Sequence, residues 1–243
     1  VPFSRRCSVP SARAATDPDR GCILELQPSS MEGDEPVESQ DFVLKEKSEL
    51  RAECNGTGDV FVTLLGGTAE IFGFELQLGS KLNIKGQKLA VFTWTGCKLR
   101  VDGETSLVYQ AEETPMASYL ALHTRLNKQR ETVQATLKAT AAAGATESIT
   151  GTAGTAGPRV IILGPADSGK SSLTRMLLNW GVRCGWEPTY VDLDVGQGSV
   201  TVPGCLAAVP IEAPLDPEEG AAALDMPFVL FYGHASPSDN PEL

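Results

Sequence analysis

The stretch that most constrains this chain runs Val160-Ile161-Ile162-Leu163-Gly164-Pro165-Ala166-Asp167-Ser168-Gly169-Lys170-Ser171-Ser172. An apolar run ends in Gly-x-x-x-x-Gly-Lys-Ser, and a helical pattern follows at once. That is the strand, loop and helix order of a phosphate-binding P-loop. Glycines let the backbone curl so that successive N–H groups point at phosphate oxygens. The following helix adds the positive end of its dipole. In this reading Lys170 reaches the β- and γ-phosphates of a nucleotide, and the Ser171 hydroxyl sits on Mg²⁺. Asp167 lies inside the loop, where a carboxylate beside polyphosphate is costly. It either orients an incoming hydroxyl or caps the loop.

Downstream, Leu173, Met176, Leu177 and Trp180 recur at helical spacing, and Gly185 suits the helix end. Pro188 to Val195 reads as the next strand, so strand, helix and strand predict a parallel βαβ unit. A third strand is expected at Phe228–Gly233 and a short one near Ala207–Val209, in an otherwise proline-rich loop. Sheets average five to six strands, and only about three are visible here. The nucleotide domain is therefore expected to be an incomplete parallel sheet, truncated at the end of the chain. Asp192 and Asp194 share a strand face. Asp194 is nearer the carboxyl end, where such sheets bind ligands. It is the candidate to hold Mg²⁺ through water or to accept a proton from an attacking hydroxyl. Gln197, in the Gly196-Gln197-Gly198 turn, is a weaker candidate for phosphate contact.

Residues 41–114 alternate short β-type runs with glycine turns such as Gly66-Gly67, Lys85-Gly86 and Asp102-Gly103. This predicts a small all-β sandwich or barrel. The runs are Phe42–Leu44, Leu50–Glu53, Val60–Leu65, Glu70–Leu76, Leu89–Trp94, Lys98–Val101 and Ser106–Tyr109. A connecting helix is expected over 115–138. Residues 139–157, rich in Ala, Gly and Thr, read as a flexible linker. The P-loop domain then takes 158–243. Residues 1–40 read as a disordered tail. The chain begins at Val1, and its first methionine is Met31. Either translation starts at Met31 or the tail is a plain disordered segment on an incomplete N-terminus.

Net charge is −11, which excludes a broadly basic nucleic-acid surface but leaves room for a strand end in a local pocket. The imbalance is local: residues 141–243 carry 4 basic and 12 acidic side chains, whereas residues 41–140 carry 12 of each. Cys7, Cys22, Cys54, Cys97, Cys184 and Cys205 have no metal-ligand spacing and read as reduced thiols of an intracellular protein. No apolar run is long enough to span a membrane.

The residues also carry a family resemblance. Gly-Pro-Ala-Asp-Ser-Gly-Lys-Ser-Ser, then Pro-Thr-Tyr-Val-Asp-Leu-Asp-Val-Gly-Gln-Gly-Ser, resembles the polynucleotide 5′-hydroxyl kinase family of the pre-mRNA cleavage and tRNA-splicing machinery. The blocks Gly66–Leu76 and Ala90–Cys97 are similar to its N-terminal β-domain, and Glu112-Glu113-Thr114-Pro115-Met116 to its linker. The resemblance covers about residues 41–138 and 158–240. It implies ATP held between the two domains, with Glu49 and Lys88 from the β-domain and Asp167, Ser168, Gly169, Lys170, Ser171 and Ser172 from the P-loop. It implies that Asp194 works near metal and the 5′-hydroxyl. The expected activity is ATP-dependent phosphorylation of the 5′-hydroxyl end of RNA, in mRNA 3′-end processing or tRNA splicing. The expected setting is nuclear, with a cleavage-factor scaffold protein or the tRNA-splicing endonuclease as partner. The alternative is an ATP-bound, non-catalytic scaffold subunit of the cleavage complex. The family's arginine-bearing lid and its C-terminal domain have no counterpart in these residues.

Overall fold

Period-two burial builds the first half of the chain into two antiparallel sheets, seen in a computed structural model that describes residues 39–54, 58–142, 157–165, 167–220 and 226–239. The tail up to 38, Met31 and the stretch 143–156 lie outside the described residues, so the expectations placed on them are not addressed. One sheet has four strands in the order β1-β8-β3-β6, with β1 at Ser39–Leu44, β3 at Phe61–Gly67, β6 at Lys81–Asn83 and β8 at Cys97–Asp102. The other has five, ordered β5-β4-β7-β2-β9, with β2 at Ser48–Glu53, β4 at Glu70–Ile71, β5 at Phe74–Glu75, β7 at Lys88–Thr93 and β9 at Leu107–Ala111. Leu50, Val62, Leu64, Ile71, Ile84, Val91 and Leu99 face inward and are almost completely buried. At roughly 1.5–3 kcal/mol for each large aliphatic side chain removed from water, this shared core is what holds the two sheets face to face.

One expected strand is instead a hairpin. The Glu70–Leu76 run breaks at Phe72 and Gly73, whose φ values are 49° and 78°. Two successive left-handed residues make the tight reversal that matches strand twist, so β4 folds back on β5. A Cβ on Gly73 would sit 3.1 Å from the Met176 carbonyl oxygen and 3.2 Å from Asn179 Cβ. We expect Gly73→Ala to cost about 2 kcal/mol, from left-handed strain plus that contact, read as a lower thermal midpoint.

Helix α1, Met116–Ala142, starts where Pro115 permits it and continues past the expected end at Lys138. Only Met116, His123 and Leu126 of this helix are buried. Helix α2, Lys170–Arg183, packs on both sides. Met176 and Trp180 meet Phe92 and Met116, while Leu178 meets Val209, Ile211 and Leu215. It is thus wedged between the β-sandwich and a three-stranded sheet of β10 (Thr189–Asp192), β11 (Cys205–Pro210) and β12 (Phe228–Phe231).

That sheet corrects the parallel expectation. Both β10–β11 and β11–β12 pair antiparallel. A parallel return needs a covering crossover, usually a helix. The β10–β11 connection is a turn-rich loop, and the described part of the β11–β12 connection has no α-helix. The run Val160–Leu163 forms no strand and has Ile161 70% and Leu163 81% exposed, so it contributes no parallel neighbour among the described residues. The division into a β-sandwich followed by a P-loop segment is as expected.

Candidate functional site

The seat of α2 is a buried carboxylate. Glu70, on β4, is 5% exposed and accepts from three donors. Trp94 Nε1 reaches Oε1 at 3.1 Å; Trp180 Nε1 and Arg183 Nη1 reach Oε2 at 3.2 and 2.8 Å. Arg183 also donates to the Gly73 carbonyl at 3.1 Å and to Glu75 at 2.8 Å. Asn179, 1% exposed, donates to the carbonyls of Phe72 and Leu215 and accepts from Leu215 N. Sequence reasoning passed over Glu70, Asn179, Trp180 and Arg183 as a group, because their partners are far away in the chain.

This seat fixes the P-loop at the start of α2. Asp167 and Gly169 have φ values of 57° and 82°, so the loop turns through left-handed geometry. Lys170 Nζ and Ser168 Oγ both donate to the Pro165 carbonyl, at 2.5 and 2.8 Å. A Cβ on Gly164 would fall 2.8 Å from Ser168 Oγ, so glycine is what lets the loop close there. Gly169 caps α2 without a side-chain hydrogen bond, and the first turn carries no acidic residue. The first amides of α2 are thus left to an anion rather than to a capping side chain. The loop is mostly exposed.

Beside it runs a groove of about 440 Å³ shared by both halves of the chain. Ser171, Ser172 and Arg175 of α2 line one side; Phe72, Gln87 and Lys88 of the β-sandwich line the other. Arg175 lies over the Phe72 ring, 5.6 Å from its centroid, and has no carboxylate partner among the described residues. Lys88 pairs with Glu53 at 3.1 Å but stays largely exposed. Gln87 Nε2 donates to the Pro217 carbonyl at 3.0 Å, closing one end of the groove with Glu218 and Glu219 nearby. Two cations, three serine hydroxyls and a helix start converge on one concavity, a donor set that fits a polyphosphate at the end away from the Glu218 and Glu219 carboxylates that also line it.

Lys88, Ser171 and Ser172 line this one groove, whereas Gly164, Asp167, Ser168, Gly169 and Lys170 form the loop beside it without lining it. Glu49 does not reach the groove. That carboxylate is 4% exposed, with Oε1 taken by Arg51 Nε at 2.6 Å and Oε2 by Thr114 Oγ1 at 2.7 Å. Its contacts tie β2 to the approach of α1.

The two aspartates part company. Asp192 ends β10 and is buried; its Oδ2 accepts from Ser199 N at 2.6 Å and Ser199 Oγ at 3.0 Å, and its Oδ1 from Asp194 N. Ser199 lines the groove, so Asp192 organises one of its walls. Tyr190 shares a hydrogen bond with Ser199 Oγ at 2.9 Å, and burial pushes its phenol above the ordinary range. Asp194 lies beyond the strand and is exposed. Its Oδ1 accepts from Gly196 N and Gln197 N at 3.1 and 2.9 Å, shaping the turn, while Oδ2 has no hydrogen bond among the described residues. Gln197 thus enters through its backbone. No group of three or more His, Cys, Asp or Glu converges as a metal cage among the described residues. A Mg²⁺ would take ligands from Ser171, water and phosphate oxygens, the usual arrangement for this cation.

Behind the seat, His123 of α1 is 6% exposed and meets Trp180 edge-on at 5.5 Å. Burial, then the Arg130 guanidinium, hold its pKa below 6.5. The folded state thus favours neutral imidazole. Its contribution is fully present above the unfolded value near pH 6.5 and is lost as pH falls through the lower folded value. Stability of the wild type should fall from about pH 7 to about pH 5 more steeply than that of His123→Gln, by urea melts across that range.

Residues 43–133 match the family model described as the N-terminal beta-sandwich domain of polyadenylation factor, and residues 164–243 match that of mRNA cleavage and polyadenylation factor CLP1 P-loop. The chain is 48% identical over 201 residues to the "Protein CLP1 homolog" of Arabidopsis thaliana, covering 82% of this chain and 42% of that one. It is 40% identical over 216 residues to the "Polyribonucleotide 5'-hydroxyl-kinase Clp1" of Rattus norvegicus, covering 88% of this chain and 47% of that one. A solved structure described as a wild-type Clp1p–Pcf11p complex superposes with a TM-score of 0.67 at 25% identity, covering 84% of this chain and 46% of that one. The chain therefore spans somewhat under half the length of the relatives it matches. No helix among the described residues is long and apolar enough to cross a membrane. With both segments matched in order and the fold agreeing, the chain belongs to the CLP1 family of mRNA cleavage and polyadenylation factors.

Proposed function

We propose that this chain binds ATP with Mg²⁺ in the groove between the β-sandwich and α2, as part of a polypeptide that phosphorylates the 5′-hydroxyl end of RNA. The observation that carries the reading is the convergence of Lys88 from one half with Ser171, Ser172 and Arg175 from the other. Gly164, Asp167, Ser168 and Gly169 shape the loop around the phosphates. Lys170 leaves the Pro165 carbonyl for a phosphate oxygen, a stronger, charge-assisted partner. Ser171 offers its hydroxyl to the metal, and bound Mg²⁺ supplies charge neutralisation on the phosphates. Asp194 is the candidate to orient or deprotonate the incoming hydroxyl, its Oδ1 anchored in the turn and Oδ2 available. Glu49 acts at one remove, by holding the β-sandwich strand and the approach of α1 in register.

The nuclear setting, an mRNA-cleavage scaffold partner of the Pcf11 kind and tRNA-splicing partners are part of the same proposal. A second reading is favoured by the Glu70 seat: nucleotide spanning the groove adds to a junction already built for rigidity, as a non-catalytic scaffold subunit would need. One experiment separates the readings. The complete native protein is given radiolabelled ATP, Mg²⁺ and an RNA with a 5′-hydroxyl end. Label transfer to RNA supports the kinase. An ATP-dependent rise in melting temperature without transfer supports the scaffold. Absence of both overturns nucleotide binding itself.

A further inference from the structure

The outer face of the four-stranded sheet holds a second concavity, of about 500 Å³, that shares no lining residue with the groove. Phe61, Thr63 and Leu65 alternate onto this face of β3 and form its floor. Phe61 stands opposite Asp102 in the β3–β8 ladder, and Thr63 stands between Arg100 of β8 and Lys81 of β6. Thr63 is 7% exposed, and its hydroxyl has no hydrogen-bond partner. Leaving a buried hydroxyl unpaired costs about 1–3 kcal/mol, so such a group in a ligand-sized cavity calls for a partner from outside the fold. Asp102 is also buried. Ser39 Oγ donates to its Oδ1 at 2.7 Å, while Oδ2 is approached by the Lys81 ammonium at 3.6 Å, beyond hydrogen-bond distance. Asp59, two residues before Phe61, gives its Oδ1 to Asn83 and Lys85, leaving Oδ2. Arg100 binds Asp41 through Nε and Nη2, leaving Nη1.

The polarity changes along this floor. Two carboxylates flank the aromatic end, and two cations flank the hydroxyl about 7 Å further along the strand. A purely anionic or purely cationic ligand would face two like charges. A flat ring that donates N–H groups from one edge and carries a phosphate suits both ends. We propose that this concavity binds a guanine nucleotide, either free or as a nucleotide unit of RNA. The base stacks on Phe61. Its adjacent N1–H and N2–H donate to the open oxygens of Asp102 and Asp59. Adenine and cytosine carry a ring-nitrogen acceptor beside their amine, and uracil has carbonyls on both sides of its N–H, so each sets a lone pair against a carboxylate. Thr63 Oγ1, Lys81 and Arg100 Nη1 donate to the phosphate, the last two as charge-assisted partners. Lys81 Nζ lies 5.7 Å from the Phe61 centroid, in the place the base takes. Its side chain is 63% exposed, so it swings to the phosphate and uncovers the Thr63 hydroxyl. The base N–H groups replace it beside Asp102.

The test is equilibrium dialysis of the native full chain against guanosine monophosphate, with ATP and Mg²⁺ in excess to fill the groove. Guanosine monophosphate should bind at least about tenfold tighter than adenosine monophosphate. Equal affinities, or no saturable binding up to about 1 mM, overturn the proposal. Thr63→Val removes a hydroxyl that has no partner in the fold, so its melting temperature should not fall, yet it should weaken guanosine monophosphate binding at least about threefold. Asp59→Asn, at an exposed position, should cut the preference over adenosine monophosphate to below about threefold. Wild-type binding in both variants overturns the proposal. So does binding that is lost in Lys170→Ala and kept in Thr63→Val, since it then belongs to the groove. The trinucleotide pGpUpU separates the two sources. Tighter binding than the mononucleotide assigns the site to RNA, and equal or weaker binding assigns it to the free nucleotide.

Discussion

Replacing Lys170 with Ala should nearly erase stabilisation by ATP. At a nucleotide concentration one hundred times Kd, binding adds about 2.7 kcal/mol to the folded state. For a chain of this size that is a rise of about 5–10 °C in the thermal midpoint. Charge-assisted contacts of one ammonium with two phosphates are worth about 3 kcal/mol, roughly a hundredfold in Kd. At the same ATP concentration the variant would keep only about 0.4 kcal/mol, a shift of about 1 °C. Without ATP the two proteins should melt together, since Lys170 makes only a local bond to the Pro165 carbonyl. A full ATP shift in Lys170→Ala would remove the P-loop from the account.

The second large effect falls on the seat of α2. Glu70→Ala leaves the buried Trp180 indole N–H without its acceptor and takes one acceptor from each of the partly exposed Trp94 and Arg183, the latter keeping the Gly73 carbonyl and Glu75. Removing one member of a buried charged pair costs about 3–5 kcal/mol, and with Arg183 one-third exposed the lower end applies, so a fall of about 6–12 °C in thermal midpoint is expected. Glu75→Ala is the control. Glu75 contacts the same Arg183 from a largely exposed position, where an ion pair is worth about 0–1 kcal/mol. Glu70→Ala should also weaken the ATP shift, because the groove exists only while α2 stays docked against Phe72 and Lys88. Equal melting of the two variants would contradict the central place given to Glu70.

Which of these features the sequence announces depends on how local their causes are. The P-loop is legible because its constraints, glycines at fixed offsets and a lysine at the helix start, all lie within nine residues. Most sandwich strands are legible from short apolar runs between glycine turns, with clear alternation in Cys97–Asp102, whereas the three-residue strand Lys81–Asn83 falls outside every expected run. The β4–β5 hairpin is not, since Ile71-Phe72-Gly73-Phe74 reads as an apolar strand until its backbone turns left-handed. Val160–Leu163 shows the opposite failure. The run has strand composition, but a strand needs a ladder partner, and pairing is not a property of the run itself. Glu70 is the hardest case. A single carboxylate in an alternating segment suggests a solvent-facing position. What buries it are Trp180 and Arg183, 110 and 113 residues away. Lys88 is named by family resemblance alone, and its place on the groove wall is not legible in its own segment. Glu49 is named the same way, and its carboxylate is occupied elsewhere.

The central claim is that one nucleotide is gripped by both halves of the chain. Hydrogen exchange of the native protein, with and without ATP and Mg²⁺, tests it most directly. The account predicts slowed exchange in two separate places: the amides of 168–172 at the start of α2, and those around Phe72 and Gln87–Lys88 in the β-sandwich. Protection confined to the P-loop, with the β-sandwich amides unchanged, would contradict a shared groove.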